Sequence, residues 1–137
     1  MASIGNRLFL SWYAVREKQA GLSISWSDDG GKTFSKRVNI AENVIDPNHP
    51  TMLVTGDKIS VVFQGRDASA GDGWGPVNAY YREINAEGQL SPLERLGYDA
   101  GSASYPTFAF EEPGRFFVVW TEPNKDAKSI VMVRGRR

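Results

Sequence analysis

The sequence predicts an all-β protein made of short antiparallel strands, and two of its features carry this prediction. Apolar, β-branched and aromatic residues occur in runs of about five to eight, and the runs end at glycine, proline, aspartate or asparagine. Almost no segment places apolar residues at a sustained helical spacing, so we expect helix to be nearly absent. The chain has 137 residues, of which 41% are hydrophobic, and this suffices for the core of a single domain.

The composition excludes several classes of function. The 16 basic and 16 acidic residues cancel, so the chain lacks the basic excess of a nucleic-acid-binding domain. No apolar run reaches the roughly 18 residues of a membrane-spanning helix, and the segment that starts at Met1 lacks the pattern of a signal peptide. Cysteine is absent and His49 is the single histidine, which excludes thiolate chemistry and a multi-histidine metal centre. We therefore expect no metal, no cofactor, no nucleic acid and no membrane as partners.

Three segments of the chain align with one another without a gap. Each opens with a turn residue and a cation, continues through apolar residues and has an aromatic residue at its seventh position; the segments are 6–12, 57–63 and 114–120. Their starting points are 51 and 57 residues apart. A second pair of segments, 50–54 and 106–110, shares a Pro-Thr start at a separation of 56 residues. A recurring period of this length is the signature of a repeat architecture.

The complete copy of the repeat holds four predicted strands, which are 51–55, 59–64, 77–84 and about 90–96. A period of about 50 residues with four strands in each unit is typical of the blade of a β-propeller. The alternative is an ordinary antiparallel β-sandwich in which the similarity between segments arose by chance.

On the propeller interpretation, residues 1–137 form one segment of an incomplete β-propeller with about two and a half four-stranded antiparallel blades. We expect a partial blade at 6–41, a complete blade at 49–97 and a partial blade at 105–134, with ten strands in all. The first blade would start at its second strand, and the third would end after its third strand. A closed propeller has at least about four blades, so we expect either self-association through open edges or a fragment of a longer chain.

One predicted turn carries a distinctive pattern of polar residues. Residues 27–34 have the form S-x-D-x-G-x-T-F and lie between the third and fourth strands of the first blade. Gly31 tolerates the positive φ of a tight turn, and Asp29 is placed to accept hydrogen bonds from backbone amides of the turn. We expect Ser27 and Thr33 to pair across the hairpin, and Phe34 to fold into the gap between neighbouring sheets.

This pattern resembles the Asp-box, or bacterial neuraminidase repeat, of sialidase-like β-propellers. The resemblance implies that Ser27, Asp29, Gly31, Thr33 and Phe34 form a folding element on the side of the propeller away from the substrate. The turn at 85–90 keeps a glycine but lacks the Asp, Ser and Thr pattern, and the third blade ends before its own box. The resemblance also implies a carbohydrate ligand, bound by a glycan-binding propeller or by part of a glycoside hydrolase, and an extracellular or periplasmic location.

Long polar loops collect on the opposite side of the predicted blades, where function usually lies. The candidate ligand-binding residues on these loops are His49, Arg66, Asp67, Trp74, Tyr98, Tyr105 and Glu122, and Asp46 and Asp72 belong to the same group. The alternative role for each of them is that of a solvated loop residue.

Catalysis of the exo-sialidase type would need three arginines on the substrate carboxylate, a tyrosine nucleophile beside a glutamate, and an aspartate acid. The Arg-Ile-Pro segment that usually carries the first arginine of the family is absent from this sequence, so we assign no catalytic residue. Two function classes stay open. One is a propeller that binds or processes glycans, and the other is a non-catalytic propeller scaffold for protein interaction, completed by oligomerisation.

Overall fold

The computed structural model describes residues 1–14, 21–70, 75–96, 102–112, 115–123 and 128–136. Within these ranges the chain forms eleven β-strands and a 3-10 turn at Ala68–Ala70, and it contains no α-helix. The strands are β1 (Ala2–Ile4), β2 (Arg7–Ala14), β3 (Gly21–Ser27), β4 (Val38–Asn39), β5 (Val44–Thr55), β6 (Lys58–Asp67), β7 (Val77–Asn85), β8 (Glu94–Arg95), β9 (Ser104–Glu112), β10 (Arg115–Pro123) and β11 (Lys128–Arg136). No helix in the described ranges is long and apolar enough to cross a membrane.

The described strands form three antiparallel sheets, and in each sheet the strands are ordered as they follow along the chain. The first sheet contains β1 to β4, the second β5 to β8, and the third β9 to β11. All pairings between neighbouring strands are antiparallel. The prediction of an all-β protein with antiparallel sheets is therefore confirmed.

The first sheet begins one strand earlier than the sequence predicted. Strand β1 pairs with β2 through a turn at Gly5, whose φ is 55°, and Gly56 has a φ of 67° in the corresponding β5–β6 turn. The prediction that the first unit starts at its second strand, with ten strands in all, is therefore wrong. With three residues, β1 is shorter than the five-to-eight-residue runs that indicated strands elsewhere.

Strand β5 is longer, and β8 shorter, than the sequence predicted. The predicted strand 51–55 extends back to Val44, with register shifts between Ile45 and Asn48 and between Asn48 and Thr51. These irregularities break the alternation of apolar and polar residues, so the early part of β5 carries no strand signal. The predicted strand 90–96 is reduced to β8 and an isolated bridge between Ile84 and Leu90.

Two clusters of apolar side chains pack the three sheets in chain order. The first cluster joins the first two sheets and includes Phe9, Leu22, Ile24, Ile59, Val61 and Phe63. The second cluster joins the second and third sheets and includes Val62, Ala79, Phe116, Val118 and Trp120. Because side chains alternate along a strand, Val61 and Val62 of β6 enter different clusters. The second sheet is therefore covered on both faces, and in the described part of the chain each outer sheet has one face that neither cluster covers.

Candidate functional site

A pocket of about 730 Å³ lies where β2 ends and where β3 and β5 begin. Its wall includes the end of β2, the start of β3 and the irregular first half of β5. The lining residues with polar or aromatic side chains are Tyr13, Asn39, Asn43, Asp46, Asn48, His49 and Gln64. The pocket is therefore a mixture of aromatic rings, amide groups and one carboxylate.

Three rings form an aromatic cluster at this pocket, with His49 in the middle. The His49 ring stacks on Tyr13 with 6.1 Å between centroids, and it meets Tyr105 edge-on at 5.1 Å. Tyr13 is 44% exposed and Tyr105 is 65% exposed, so both tyrosines present ring surface to solvent. Rings of this size normally bury most of their surface.

The backbone around the pocket is held in an unusual conformation. Among the described residues, the non-glycine residues with positive φ are Asn43 at 62°, Asp46 at 49°, His49 at 52° and Tyr105 at 55°. Three of these residues line the pocket, and the ring of the fourth packs on His49. Positive φ costs energy for residues with a Cβ atom, and such strain concentrates at functional sites. The strain here is therefore a second indication of a site.

His49 and Tyr105 occupy the same position in the repeat. Each comes directly before a Pro-Thr pair, and the two residues are 56 positions apart in the sequence. A residue before proline is ordinarily extended, so the left-handed conformation of both is unusual. The repeat therefore places two side chains side by side that lie far apart along the chain.

Side-chain amides hold the rings and the loop in place. Gln64 Oε1 accepts a hydrogen bond of 2.6 Å from the backbone N–H of Tyr105, which fixes the start of β9 against β6. Asn48 donates from Nδ2 to the carbonyl of Asp46 at 2.7 Å, and its Oδ1 contacts Nδ1 of His49. The His49 ring is thus oriented by a neighbour as well as by its two aromatic contacts.

The other sequence-predicted candidates do not line this pocket. Arg66 donates from Nη1 to the carbonyl of Gly75. Asp67 accepts hydrogen bonds from the hydroxyl and the backbone N–H of Ser69 at 2.7 and 2.8 Å, and these bonds lower the pKa of its carboxyl. Glu122 accepts a hydrogen bond of 2.8 Å from Nε1 of Trp120. Each of these side chains thus has a structural partner away from the pocket wall.

Three candidates, Asp72, Trp74 and Tyr98, lie outside the described residues. Conversely, sequence reasoning missed Tyr13 and Gln64 as parts of the site. Tyr13 directly follows the aligned segment 6–12, and Gln64 ends the predicted strand 59–64. An aromatic residue at a strand end beside a long polar loop is the signal that could have found Tyr13.

At the opposite end of β3 lies the 27–34 turn, which is organised around the carboxylate of Asp29. Its Oδ1 accepts hydrogen bonds from the backbone N–H groups of Lys32 and Thr33 at 3.0 and 2.9 Å. It also accepts a bond of 2.8 Å from the Ser27 hydroxyl, and Oδ2 accepts one of 2.6 Å from the Thr33 hydroxyl. These hydrogen bonds, with those from Thr33 the largest cause, lower the pKa of Asp29 to about 2. Ser27 and Thr33 thus both bond to Asp29 instead of to each other.

The prediction for Phe34 is wrong, because its side chain is 45% exposed on the turn. The gap between the first and second sheets is taken by Trp26, whose ring lies against Gly88 of the 85–90 turn. A Cβ atom on Gly88 would lie 3.0 Å from two carbons of that ring and would overlap a third. Trp26 also packs on Phe9 at 6.2 Å. The aromatic residue three positions before Asp29 therefore has the role that was expected of Phe34.

Arg7 ties the 27–34 turn to the second sheet. Its guanidinium forms a two-point ion pair with Asp28 at 2.6 and 2.8 Å, which raises the pKa of Arg7 and lowers that of Asp28. The same guanidinium donates to the carbonyl of Ala86 and lies 5.7 Å from the centroid of Trp26. This end of the molecule is thus built from contacts between sheets, which suits a structural element better than a binding site.

In the described part of the chain, no group of three or more His, Cys, Asp or Glu side chains could hold a metal ion. Comparisons with protein-family models, with curated proteins and with solved structures find no match.

Proposed function

We propose that this chain is a segment of a sialidase-like β-propeller that binds carbohydrate in the pocket beside Tyr13, His49 and Tyr105. The observation that carries the proposal is the cluster of three rings at an open pocket, with two tyrosines exposed. Exposed rings held in fixed positions are suited to a ligand with both an apolar face and polar edges.

The architecture supports the propeller half of the proposal. Three meandering antiparallel sheets pack face to face in chain order, as consecutive blades do. The Asp29-centred turn occupies the connection between β3 and β4, where an Asp-box belongs. Gly21 at the start of β3 lines the pocket, and Ser27 at the end of β3 opens the turn. The pocket and the turn are thus at opposite ends of the sheet, as the family resemblance requires.

The chemistry of the pocket wall supports the carbohydrate half. Aromatic faces carry negative charge density that attracts the polarised C–H groups on one face of a sugar ring. Amide and carboxylate groups around the rings supply both donors and acceptors for hydroxyl groups, and they include Asn39, Asn43, Asp46 and Gln64. The pocket volume of about 730 Å³ is in the range that holds a small ligand.

The proposal is for binding, with no hydrolytic step. Arg66, Asp67 and Glu122 are candidate ligand-binding residues with side chains suited to such chemistry, and all three are bonded away from the pocket wall. A retaining or tyrosine-dependent glycosidase needs its acid and its nucleophile on the two sides of one bond. Arg66, Asp67 and Glu122 do not supply that pair at the pocket.

A glycan array followed by titration of the best glycan tests the proposal. We expect Tyr105→Ala and Tyr13→Ala each to weaken binding by about tenfold, because each removes one stacking surface. Phe34→Ala removes a ring about as exposed as that of Tyr13 from the other end of the first sheet, and it should leave the affinity unchanged. Binding that is unaffected by both tyrosine variants, or absent for all glycans, would overturn the proposal and favour the scaffold alternative.

A further inference from the structure

The gap-free repeat aligns one row of three apolar side chains in all three sheets. Each row consists of every second residue along the second strand of its sheet. The rows are Leu8, Leu10 and Trp12 in the first sheet, Ile59, Val61 and Phe63 in the second, and Phe116, Val118 and Trp120 in the third. A row at equivalent positions of equivalent strands lies on the same face of each sheet.

This row is buried in the second and third sheets and partly exposed in the first sheet. In the second sheet, no member of the row is more than 1% exposed, and the row packs on the first sheet. In the third sheet, no member is more than 4% exposed, and the row packs on the second sheet. In the first sheet, Leu10 is 39% exposed, and Leu8 and Trp12 are half-buried. Phe9, on the other face of β2, is fully buried against the second sheet.

The third sheet carries the complementary positions on its other face. Leu53 and Val62 of the second sheet pack towards the third sheet, and Ala109 and Val119 occupy the equivalent positions of the third sheet. Ala109 and Val119 are half-buried, and their neighbour Thr107 is exposed. One molecule therefore carries both sides of the same sheet-to-sheet interface, one at each end of the stack.

We propose that the Leu8–Leu10–Trp12 face is covered by the Ala109–Val119 face of a second copy of this chain, and that two copies close a ring in this way. A second copy is the partner we infer, because the equivalent rows of the second and third sheets are each covered by the preceding sheet of the same chain. A head-to-tail interface generates either a ring or an open filament. Two copies of these three sheets would give six blades, which is within the usual four to eight.

This inference rests on the propeller architecture proposed above, but it does not depend on the sugar pocket. Tyr105→Ala should weaken glycan binding and leave the particle mass unchanged. A wild-type chain that dimerises but binds no glycan contradicts only the sugar proposal, and one that binds a glycan but stays monomeric contradicts only the ring.

Sedimentation of the full chain over a concentration series tests the proposal. We expect a particle of twice the chain's 15.2 kDa. Leu10→Glu and Val119→Glu should each give monomers, because each places a charge in both interfaces of the ring. An equimolar mixture of the two variants should recover dimers, because one of its two interfaces then has both faces intact. Phe34→Glu is the matched control and should remain dimeric, since Phe34 is exposed but lies outside both faces.

Three results would overturn the proposal. A wild-type monomer at all concentrations would mean that the face is covered by another part of a longer protein, or by nothing. A Val119→Glu variant that stays dimeric would mean that the Leu10 face pairs with itself. Variants that dissociate alone but do not recover in the mixture would exclude a head-to-tail interface. Thermal melting checks that each variant folds, and Leu10→Ser and Val119→Thr serve as milder replacements for a variant that does not.

Discussion

Asn85 has the same role in the second sheet that Asp29 has in the first. Oδ1 of each residue accepts a hydrogen bond from the backbone N–H four positions later, at 2.9 Å from Thr33 and 2.8 Å from Gln89. The side chains at those positions close both turns, because the Thr33 hydroxyl bonds to Asp29 and Asn85 Nδ2 bonds to Gln89 Oε1. The two turns thus share one hydrogen-bond pattern, in which the acceptor is a carboxylate in the first sheet and a side-chain amide in the second.

The charge of Asp29 is expected to make the 27–34 turn sensitive to acid. Its pKa falls from the ordinary 3.8 to about 2 because the folded turn donates hydrogen bonds to the carboxylate. A carboxyl whose pKa is lower in the folded state than in the unfolded state stabilises the fold at pH values above its unfolded-state pKa. This stabilisation is lost as the pH falls towards and through the folded-state pKa. We therefore expect Asp29→Asn to lower the melting temperature at pH 7. We also expect the melting temperature of this variant to fall less than that of the wild type between about pH 5 and pH 2.

Differential scanning calorimetry over that pH range provides the measurement. Asp57→Asn is the matched control, because it removes one charge from another exposed turn. Asp28 and Asp67 also have lowered pKa values, so the test is the difference between variant and wild type at each pH. An acid-induced loss in Asp29→Asn as large as that of the wild type would show that the turn carbonyls and amides hold the structure without the carboxylate.

The contact between Gly88 and Trp26 predicts a large effect of a single methyl group. Gly88 has a φ of 84°, and a Cβ atom there would collide with the indole ring. Gly56 has a φ of 67° with open space around it, so Gly56→Ala bears the backbone strain alone. We expect Gly56→Ala to lower the free energy of unfolding by about 1 kcal/mol, and Gly88→Ala by about 1–3 kcal/mol more. Equal effects in urea denaturation would contradict the packing of Trp26 under this turn.

Gly65 packs closely against three residues of the pocket wall. A Cβ atom at Gly65 would overlap Cγ1 of Val44 and would lie 3.2 Å from the Ile45 carbonyl oxygen and 3.3 Å from Cα of Pro47. We expect Gly65→Ala to destabilise the chain by about 1–3 kcal/mol and to weaken glycan binding, because Val44, Ile45 and Pro47 line the pocket.

Adding Val44→Ala to Gly65→Ala should restore part of the stability, since it removes the overlapping methyl group. A double-mutant cycle by urea denaturation measures this coupling. Additive losses, with no recovery in the double variant, would show that the loop relaxes away from Gly65 without help.

The sequence predicted those parts of the fold that depend on neighbours along the chain. The apolar runs and their bounding turns placed β6, β7 and the 27–34 turn well, because alternation and turn residues act locally. Extending the alignment upstream by one residue would also have matched Gly5 with Gly56 and revealed β1. The early half of β5 was not predictable in this way, because its residues with positive φ interrupt the alternation.

The site was only partly predictable, because side-chain partners across sheets are not encoded in local patterns. His49 and Tyr105 were proposed from loop position, but their contact depends on how the second and third sheets pack. Arg66 and Glu122 were proposed on the same grounds, but their loop positions did not indicate their bonds to Gly75 and Trp120. Phe34 fitted the family pattern but not the packing, since Trp26 had already filled the gap between the sheets.

The central claim is that a sugar binds against the ring of His49, and NMR titration of that ring tests it most directly. His49 is the single histidine of the chain, so its imidazole signals identify themselves without assignment of other residues. We expect these signals to shift saturably as the best glycan from the array is added, and to shift less in Tyr105→Ala at the same glycan concentration. A glycan that binds with saturation while the His49 signals stay in place would contradict the account.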